Sequence, residues 1–222
     1  MAAFDFDGTL VSGGSVLPFL AAVRGPAPVA REVLRALPKL VRGAVLGGSW
    51  ADTAKEQLFV RLLGGLRAEE VAERAAAFGQ RHLGRRLRPA MRDRLEWHRA
   101  QGHRLLVVSA SPEYYVGPCA ELLAMDGAVG TRLAVDSGGL LTGYYEGRNC
   151  RGAEKYTRVV AWLRDNGLGG SSGQGQPVLW AYGNSRGDRR MLDAADYGVD
   201  AGRLGRVGSL RRFLRLRDVA GR

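Results

Sequence analysis

The sequence predicts an α/β fold: a parallel sheet interrupted after its first strand by a compact helical insert. Two observations carry this. Short apolar runs of strand length alternate with helical stretches and end in polar residues, the pattern of a parallel sheet. From Ser15 to about Leu87 only helical periodicity is present. The 222 residues suffice for one substantial domain or a core with one insert, and 45% hydrophobic with 25% charged residues is an ordinary globular balance.

The first strand is the apolar run Ala2–Phe6, which ends in Asp5-Phe6-Asp7-Gly8 and runs into a loop. Within the insert, Leu34, Leu37, Val41 and Val45 recur at helical spacing, as do Leu58, Leu62 and Leu63. Gly47-Gly48 and Gly64-Gly65 punctuate it, and Asp52 or Thr53 can open a helix, giving three to four helices and no strand. A helix over Met91–Ala100 leads through Gly102 to Leu105–Val108, a buried strand. Ser109 then opens a polar turn, and Pro112 takes the first position of the next helix. Leu133–Val135 and Gly143–Tyr145 are short strands about an Asp136–Gly139 turn. Glu154–Arg164 is an amphipathic helix and Gly169–Pro177 a Gly/Ser/Gln loop. Val178–Tyr182 is the last buried strand, ending at Gly183-Asn184. The expected division is 1–13 with 88–222 for the α/β core and 14–87 for the helical unit.

Several classes are disfavoured. No apolar run approaches the ~20 residues that span a bilayer. The opening residues, broken by Asp5 and Asp7 with no basic stretch before them, do not form a secretory signal. Cys119 and Cys150 lie far apart without pairing or metal spacing, which suits idle thiols in a reducing, cytoplasmic setting. His82, His98 and His103 also lack metal spacing and read as structural. The formal net charge is +11. Its basic residues spread over helix faces, denser at Arg81–Arg88 and Arg203–Arg217, with no nucleic-acid fold signature. The expectation is solvated surface that also attracts phosphorylated substrates, with no nucleic-acid partner.

Polar groups fall where a parallel sheet gathers its ligands, at strand C-termini. They are Asp5 and Asp7 after the first strand, Ser109 after the second, Lys155 opening a helix, and Asn184 with Asp188 after the last. Two close carboxylates are costly unless a cation neutralises them. Hard oxygen ligands suit Mg²⁺, which binds through one or two carboxylates plus substrate phosphate. Asp5 can then attack phosphorus while Asp7 protonates the leaving oxygen and later deprotonates water. Ser109, with the amides of Ala110 and Ser111, can donate to phosphate or simply cap the following helix. Lys155 can balance the charge of carboxylate and phosphoryl group.

At these residues the chain resembles the haloacid-dehalogenase superfamily. Asp5-Phe6-Asp7-Gly8-Thr9-Leu10 is similar to its motif I and Val107-Val108-Ser109-Ala110-Ser111-Pro112-Glu113 to motif II. Asn149-Cys150-Arg151-Gly152-Ala153-Glu154-Lys155 is similar to motif III. Tyr182-Gly183-Asn184-Ser185-Arg186-Gly187-Asp188, followed by Met191-Leu192, is similar to motif IV. Thr142-Gly143 and the helical insert resemble the subfamily that includes phosphoserine phosphatase (subfamily IB, with a helical C1 cap). The resemblance implies a Rossmann-like core, a helical cap, Mg²⁺ and an aspartyl-phosphate intermediate. It implies Asp5, Asp7 and Lys155 as catalytic, with Gly8, Ser109, Ala110 and Lys155 holding phosphate. Asp5, Asp7, Asn184 and Asp188 would form the metal set. Asn184 departs from the pattern, since an aspartate commonly binds the metal there. Asp188 is therefore expected to carry more of the metal binding.

Substrate choice would then rest with the insert, which offers Phe19, Trp50 and Phe59 beside Lys39, Arg42, Lys55 and Arg61, its apolar residues mostly forming a small core of its own. The segment Pro28–Leu46 is basic and amphipathic, with Arg31, Arg35, Lys39 and Arg42. The leading expectation is a Mg²⁺-dependent phosphatase for a small phosphorylated metabolite. Lipid-phosphate hydrolysis with weak anionic-membrane association, a catalytically weakened binding or regulatory protein, and phosphotransfer all stay open, as does oligomeric state.

Overall fold

In a computed structural model, residues 1–46, 50–168, 177–202, 210 and 212–219 are described, with backbone alone over 38–46 and 50–51. The central strand, β1 (Ala2–Phe4), is fully buried and pairs in parallel on both sides. Ala2 stands against Leu105 of β2 (Leu105–Pro112) and Trp180 of β6 (Trp180–Gly183). Burial on both faces is why these strands read as unbroken apolar runs. The sheet is completed by β3 (Gly127–Thr131), β7 (Tyr197–Asp200) and β8 (Leu214–Arg215), in the order β3-β2-β1-β6-β7-β8, every pairing parallel. The chain builds outward from β1 in one direction and then the other, so the switch in strand order lies between β1 and β6, where ligands bind in open α/β sheets.

Successive strand residues feed opposite faces. Phe4, Val107 and Tyr182 join one apolar cluster with Met91 and Leu95 of α5 (Pro89–Ala100) and Val116 of α6 (Glu113–Leu122). Ala3, Leu106 and Ala181 join the other, with Val159 of α7 (Ala153–Asp165) and Met191 of α8 (Arg189–Asp193). A one-turn helix, α9 (Leu216–Val219), follows β8.

Between β1 and α5 lie four helices: α1 (Val16–Arg24), α2 (Pro26–Leu46), α3 (Trp50–Leu63) and α4 (Ala68–Arg86). Their apolar side chains do not form a core of their own, contrary to expectation. Phe19, Phe59 and Phe78 belong to the same continuous cluster as Phe4 and Val107. The junction is Tyr115 of α6, whose ring centroid lies 4.8 Å from Phe19 and 5.3 Å from Phe78. A Cβ at Gly79 of α4 would lie 3.0 Å from the Cys119 sulfur, so the two helices meet almost backbone to backbone.

The hairpin of β4 (Leu133–Val135) and β5 (Leu141–Tyr145) packs on α3. Asp136 closes its turn by accepting from the N–H groups of Gly138 and Leu140, both at 2.9 Å. Gly143 has φ +79°, and a Cβ there would lie 2.3 Å from the Val60 Cα, so α3 leaves no room for any side chain.

Three strands differ from the sequence reading. β3, β7 and β8 were not expected, and the strand after Pro177 is followed by two more. β2 also continues through Ser109 to Pro112, and α6 starts at Glu113 with Pro112 as its N-cap. The Gly47-Gly48 break, residues 169–176 of the predicted loop and most of the Arg203–Arg217 stretch lie outside the described residues, as do the side chains of Lys39, Val41, Arg42, Val45 and Trp50.

Candidate active site

Asp5 leaves β1 as its backbone N–H donates to the Tyr182 carbonyl at 2.9 Å. Its carboxylate is buried and held at both oxygens. Thr9 Oγ1 donates to Oδ2 at 2.9 Å, and Lys155 Nζ donates to Oδ1 at 2.5 Å. Lys155 reaches from the first turn of α7 and also donates to Asp188 Oδ1 at 2.6 Å. Its side chain is 2% exposed and that of Asp188 1%, so this is a buried carboxylate–ammonium–carboxylate bridge. Burial pulls the ammonium's pKa down, but the two carboxylates outweigh it and hold the pKa above its ordinary value. Burial and the like charge of Asp188 push Asp5 up to about 7 against the pull of Lys155.

Asp188 is fixed from the other side as well. Its Oδ2 accepts from Ser185 Oγ at 2.7 Å, Ser185 N at 2.9 Å and Asn184 N at 3.1 Å, while Ser185 Oγ accepts from Gly187 N at 3.2 Å. This reciprocal capping box folds the turn after β6 tightly, and Gly183 is required beneath it, because a Cβ there would lie 2.4 Å from the Asp188 Cβ. Four donors thus occupy the Asp188 carboxylate. This geometry makes Asp188 the anchor of Lys155 and of the Asn184 backbone.

Asp7 is treated differently. Ser111 Oγ donates to its Oδ2 at 2.5 Å, whereas Oδ1 is buried without a hydrogen-bond partner. The relay continues from Ser111 to Ser15 (3.4 Å) and from Ser15 to the Tyr115 hydroxyl (2.7 Å). Ser109 does not cap α6. Its Oγ accepts the Ser111 N–H at 3.0 Å, which leaves its own proton free to donate into the site. The Ala110 carbonyl is taken by Thr131 Oγ1 at 2.7 Å and by Lys55 Nζ at 2.9 Å. Lys55 comes from α3 of the insert and also donates to Asn149 at 2.8 Å; burial, partly offset by Asp52, brings it down to about 8. Thr9, Ser111 and Asn149 lie inside the motif-like stretches, but their side-chain roles, like those of Ser15 and Tyr115, depend on partners that spacing alone does not reveal.

The Asn184 side-chain amide lies 3.2 Å from the Asp7 main-chain oxygen and 3.3 Å from Asp5 Oδ2. With its nitrogen turned inward it closes the site by hydrogen bonds. With its oxygen inward, a carboxylate, a carbonyl and an amide oxygen converge with no proton between them, an oxygen set that suits a hard divalent cation. Asp5, Asp7 and Asp188 against Lys155 leave a negative excess that such a cation would neutralise. The residues therefore fit Mg²⁺, with Asp5, the Asp7 carbonyl and Asn184 as its holders. No cluster of three His, Cys, Asp or Glu side chains with metal spacing occurs among the described residues, so the main chain and Asn184 are needed to complete the set. Gly8, at φ +78°, makes room for it: a Cβ there would lie 2.0 Å from the Asn184 amide.

The chain is similar to several known proteins. CicA of Caulobacter vibrioides is 33% identical over 196 residues, covering 88% of this chain and 83% of that protein. A phosphoserine phosphatase of Archaeoglobus fulgidus is 29% identical over 204 residues, 90% of this chain and 51% of that one. A crystal structure from Bordetella pertussis Tohama I, described as of unknown function, superposes with a TM-score of 0.76 at 22% identity over 97% of this chain and 96% of its own. The haloacid dehalogenase-like hydrolase family matches residues 2–193, from β1 through α8, a span that takes in every site residue above. Sequence, sheet order and the Asp5–Lys155–Asp188 bridge converge on one assignment: the chain belongs to the haloacid dehalogenase-like hydrolases.

Proposed function

We propose that this hydrolase cleaves phosphate monoesters of small metabolites through an aspartyl-phosphate on Asp5, with Mg²⁺ held by Asp5, the Asp7 carbonyl and Asn184. The observation that carries the reading is the unequal treatment of two carboxylates two residues apart. Asp5 is clamped at both oxygens, by Thr9 and Lys155, as an aimed nucleophile requires. Asp7 keeps one buried oxygen unpartnered, as a proton carrier requires. Bound Mg²⁺ supplies charge neutralisation and orientation for the phosphoryl oxygens. An Asp5 oxygen bonds to phosphorus as the ester P–O bond breaks, and Asp7 gives its proton to the departing oxygen. Asp7 then takes a proton from water, whose oxygen attacks phosphorus and returns Asp5 as a carboxylate with release of phosphate. Lys155 and Ser109 hold the phosphoryl oxygens throughout, with the Gly8 and Ala110 main chain beside them.

The related phosphoserine phosphatase supports a soluble phosphomonoester as the substrate class. The membrane alternative finds Leu34 and Leu37 of α2 68% and 49% exposed. Arg35 and Arg61 bond to buried Glu32 at 2.6 and 3.1 Å, and Arg31 stands 3.8 Å from it, so one carboxylate gathers three guanidiniums and offsets one of their charges. No helix of the described residues is long and apolar enough to cross a membrane. The two cysteines, both free and buried, accord with a cytoplasmic setting. The test is phosphate release from an aryl phosphate, then from a panel holding phosphoserine, sugar phosphates and lipid phosphates, with Asp5→Asn as the blank. Full activity in Asp5→Asn, or activity indifferent to EDTA, overturns the proposal.

A further inference from the structure

A second polar site lies where the helical insert joins the sheet. The outgoing linker, Ser12–Gly14, runs beside the end of α4, and Ser12 N–H donates to the Arg86 carbonyl at 2.8 Å. Between them is a cavity of about 420 Å³ with Phe78 in its wall. Gly13 and Gly14 present bare backbone to it, with open space where a Cβ would stand. From α4, Arg81, His82, Arg85 and Arg86 line the other side. None of the three guanidiniums has a hydrogen bond or ion pair among the described residues, and no acidic residue lines the cavity. The His82 ring stacks on Phe78 at 5.0 Å, and its Nε2 is buried without a partner. Elsewhere some arginines find acids, as Arg35 and Arg61 do with Glu32, and others bond main-chain carbonyls, as Arg24 and Arg74 do. Here like charges crowd one concave surface with no acid in its wall, only Asp7 beyond it pulling on His82, an arrangement that costs free energy until a counter-charge arrives. Guanidiniums match tetrahedral and planar oxyanions by paired hydrogen bonds.

We propose that this cavity binds a small, multiply charged oxyanion of the phosphate or sulfate type, clasping the two linkers of the helical insert together. It is distinct from the Asp5 site and does not depend on the phosphatase assignment. Phe78 connects it to that site through Tyr115, whose hydroxyl bonds Ser15.

The probe is sodium sulfate at 20 mM against sodium chloride of equal ionic strength, read as the shift in Tm. For a Kd of about 1 mM the wild type should gain roughly 4–7 °C from the binding itself. The general stabilisation by sulfate as an excluded salt is common to every variant and cancels in the comparison. In Arg81→Ala/Arg85→Ala most of the gain should vanish, and Arg81→Lys/Arg85→Lys should keep about half. Both arginines are exposed and unpaired, so these chains fold. Sulfate bound at Asp5 would stabilise the alanine double variant as fully as the wild type. An equal gain in both chains, or none in the wild type, overturns the proposal.

Discussion

Replacing Lys155 by methionine removes the only cation in contact with Asp5 and Asp188 among the described residues and leaves their carboxylates facing each other inside the fold. The chain is matched in length, so the loss is electrostatic rather than a cavity. Both contacts are short, 2.5 and 2.6 Å, and both partners are nearly inaccessible, which places the cost at about 3–5 kcal/mol, the range for breaking a buried ion pair. The cost should depend on pH. Asp5 already titrates at about 7, above its unfolded value of 3.8, so the folded chain binds the extra proton between those limits. Stability therefore falls as pH rises through that window, and without Lys155 the window extends upward. Urea melts in EDTA should show the smallest loss near pH 5 and the full loss near pH 8.5. Adding Asp188→Asn to Lys155→Met should restore about 2 kcal/mol at the higher pH, since the Asn oxygen can still accept from Ser185 while the stranded charge is gone. A loss below about 1 kcal/mol that is flat in pH, or strict additivity in the double variant, would refute the bridge as described.

Other expectations follow from the same geometry. Asp5→Asn should lower phosphate release by at least about 10³-fold with little change in Tm, because an amide cannot attack phosphorus. Asn184→Asp should lower the Mg²⁺ concentration for half-maximal activity roughly tenfold by adding a charge to the oxygen set, and Asn184→Ala should raise it, as a metal titration of initial rates will show. Gly143→Ala should cost about 3 kcal/mol in a urea melt, since it combines a left-handed backbone with a clash against α3. Burial, reinforced by Arg94 and His103, holds His98 down to about 3, against 6.5 when unfolded. The unfolded chain thus takes the proton first, and this contribution to stability is complete above about pH 6.5 and lost as pH falls. Between pH 6.5 and 4.5 the wild type should lose about 2–3 kcal/mol that His98→Gln does not.

The parts of the fold that were legible in sequence are those whose environment imposes a pattern. β1, β2 and β6 are buried on both faces and had to be continuous apolar runs. β3 and β8 form the sheet edges, half-buried and with Gly127-Ala128 or Leu214-Arg215 as their residues, and so left no such trace. β7 is four residues with a glycine, too short for periodicity. In the site, Asp5, Asp7, Ser109 and Asn184 stood out because strand ends are marked in sequence, and Lys155 because it opens a helix. The pairing that ties Asp188 to Lys155, Ser185 and the Asn184 backbone was not legible, since it depends on which oxygens of one carboxylate are occupied. Nor was the reach of Lys55 to Ala110, a contact between residues 55 positions apart.

The aromatic junction at Tyr115 bears on how this enzyme can be re-engineered. Because Phe19 and Phe78 close against Tyr115 rather than against one another alone, the four helices are not an interchangeable module. A chimera that imports those helices from a relative, keeping this α6, would set foreign side chains against Tyr115, and a residue larger than glycine at the place of Gly79 would crowd Cys119. Transplanting α6 together with the insert treats the contact as inherited in one piece, and selectivity libraries for this scaffold are best cut along that line.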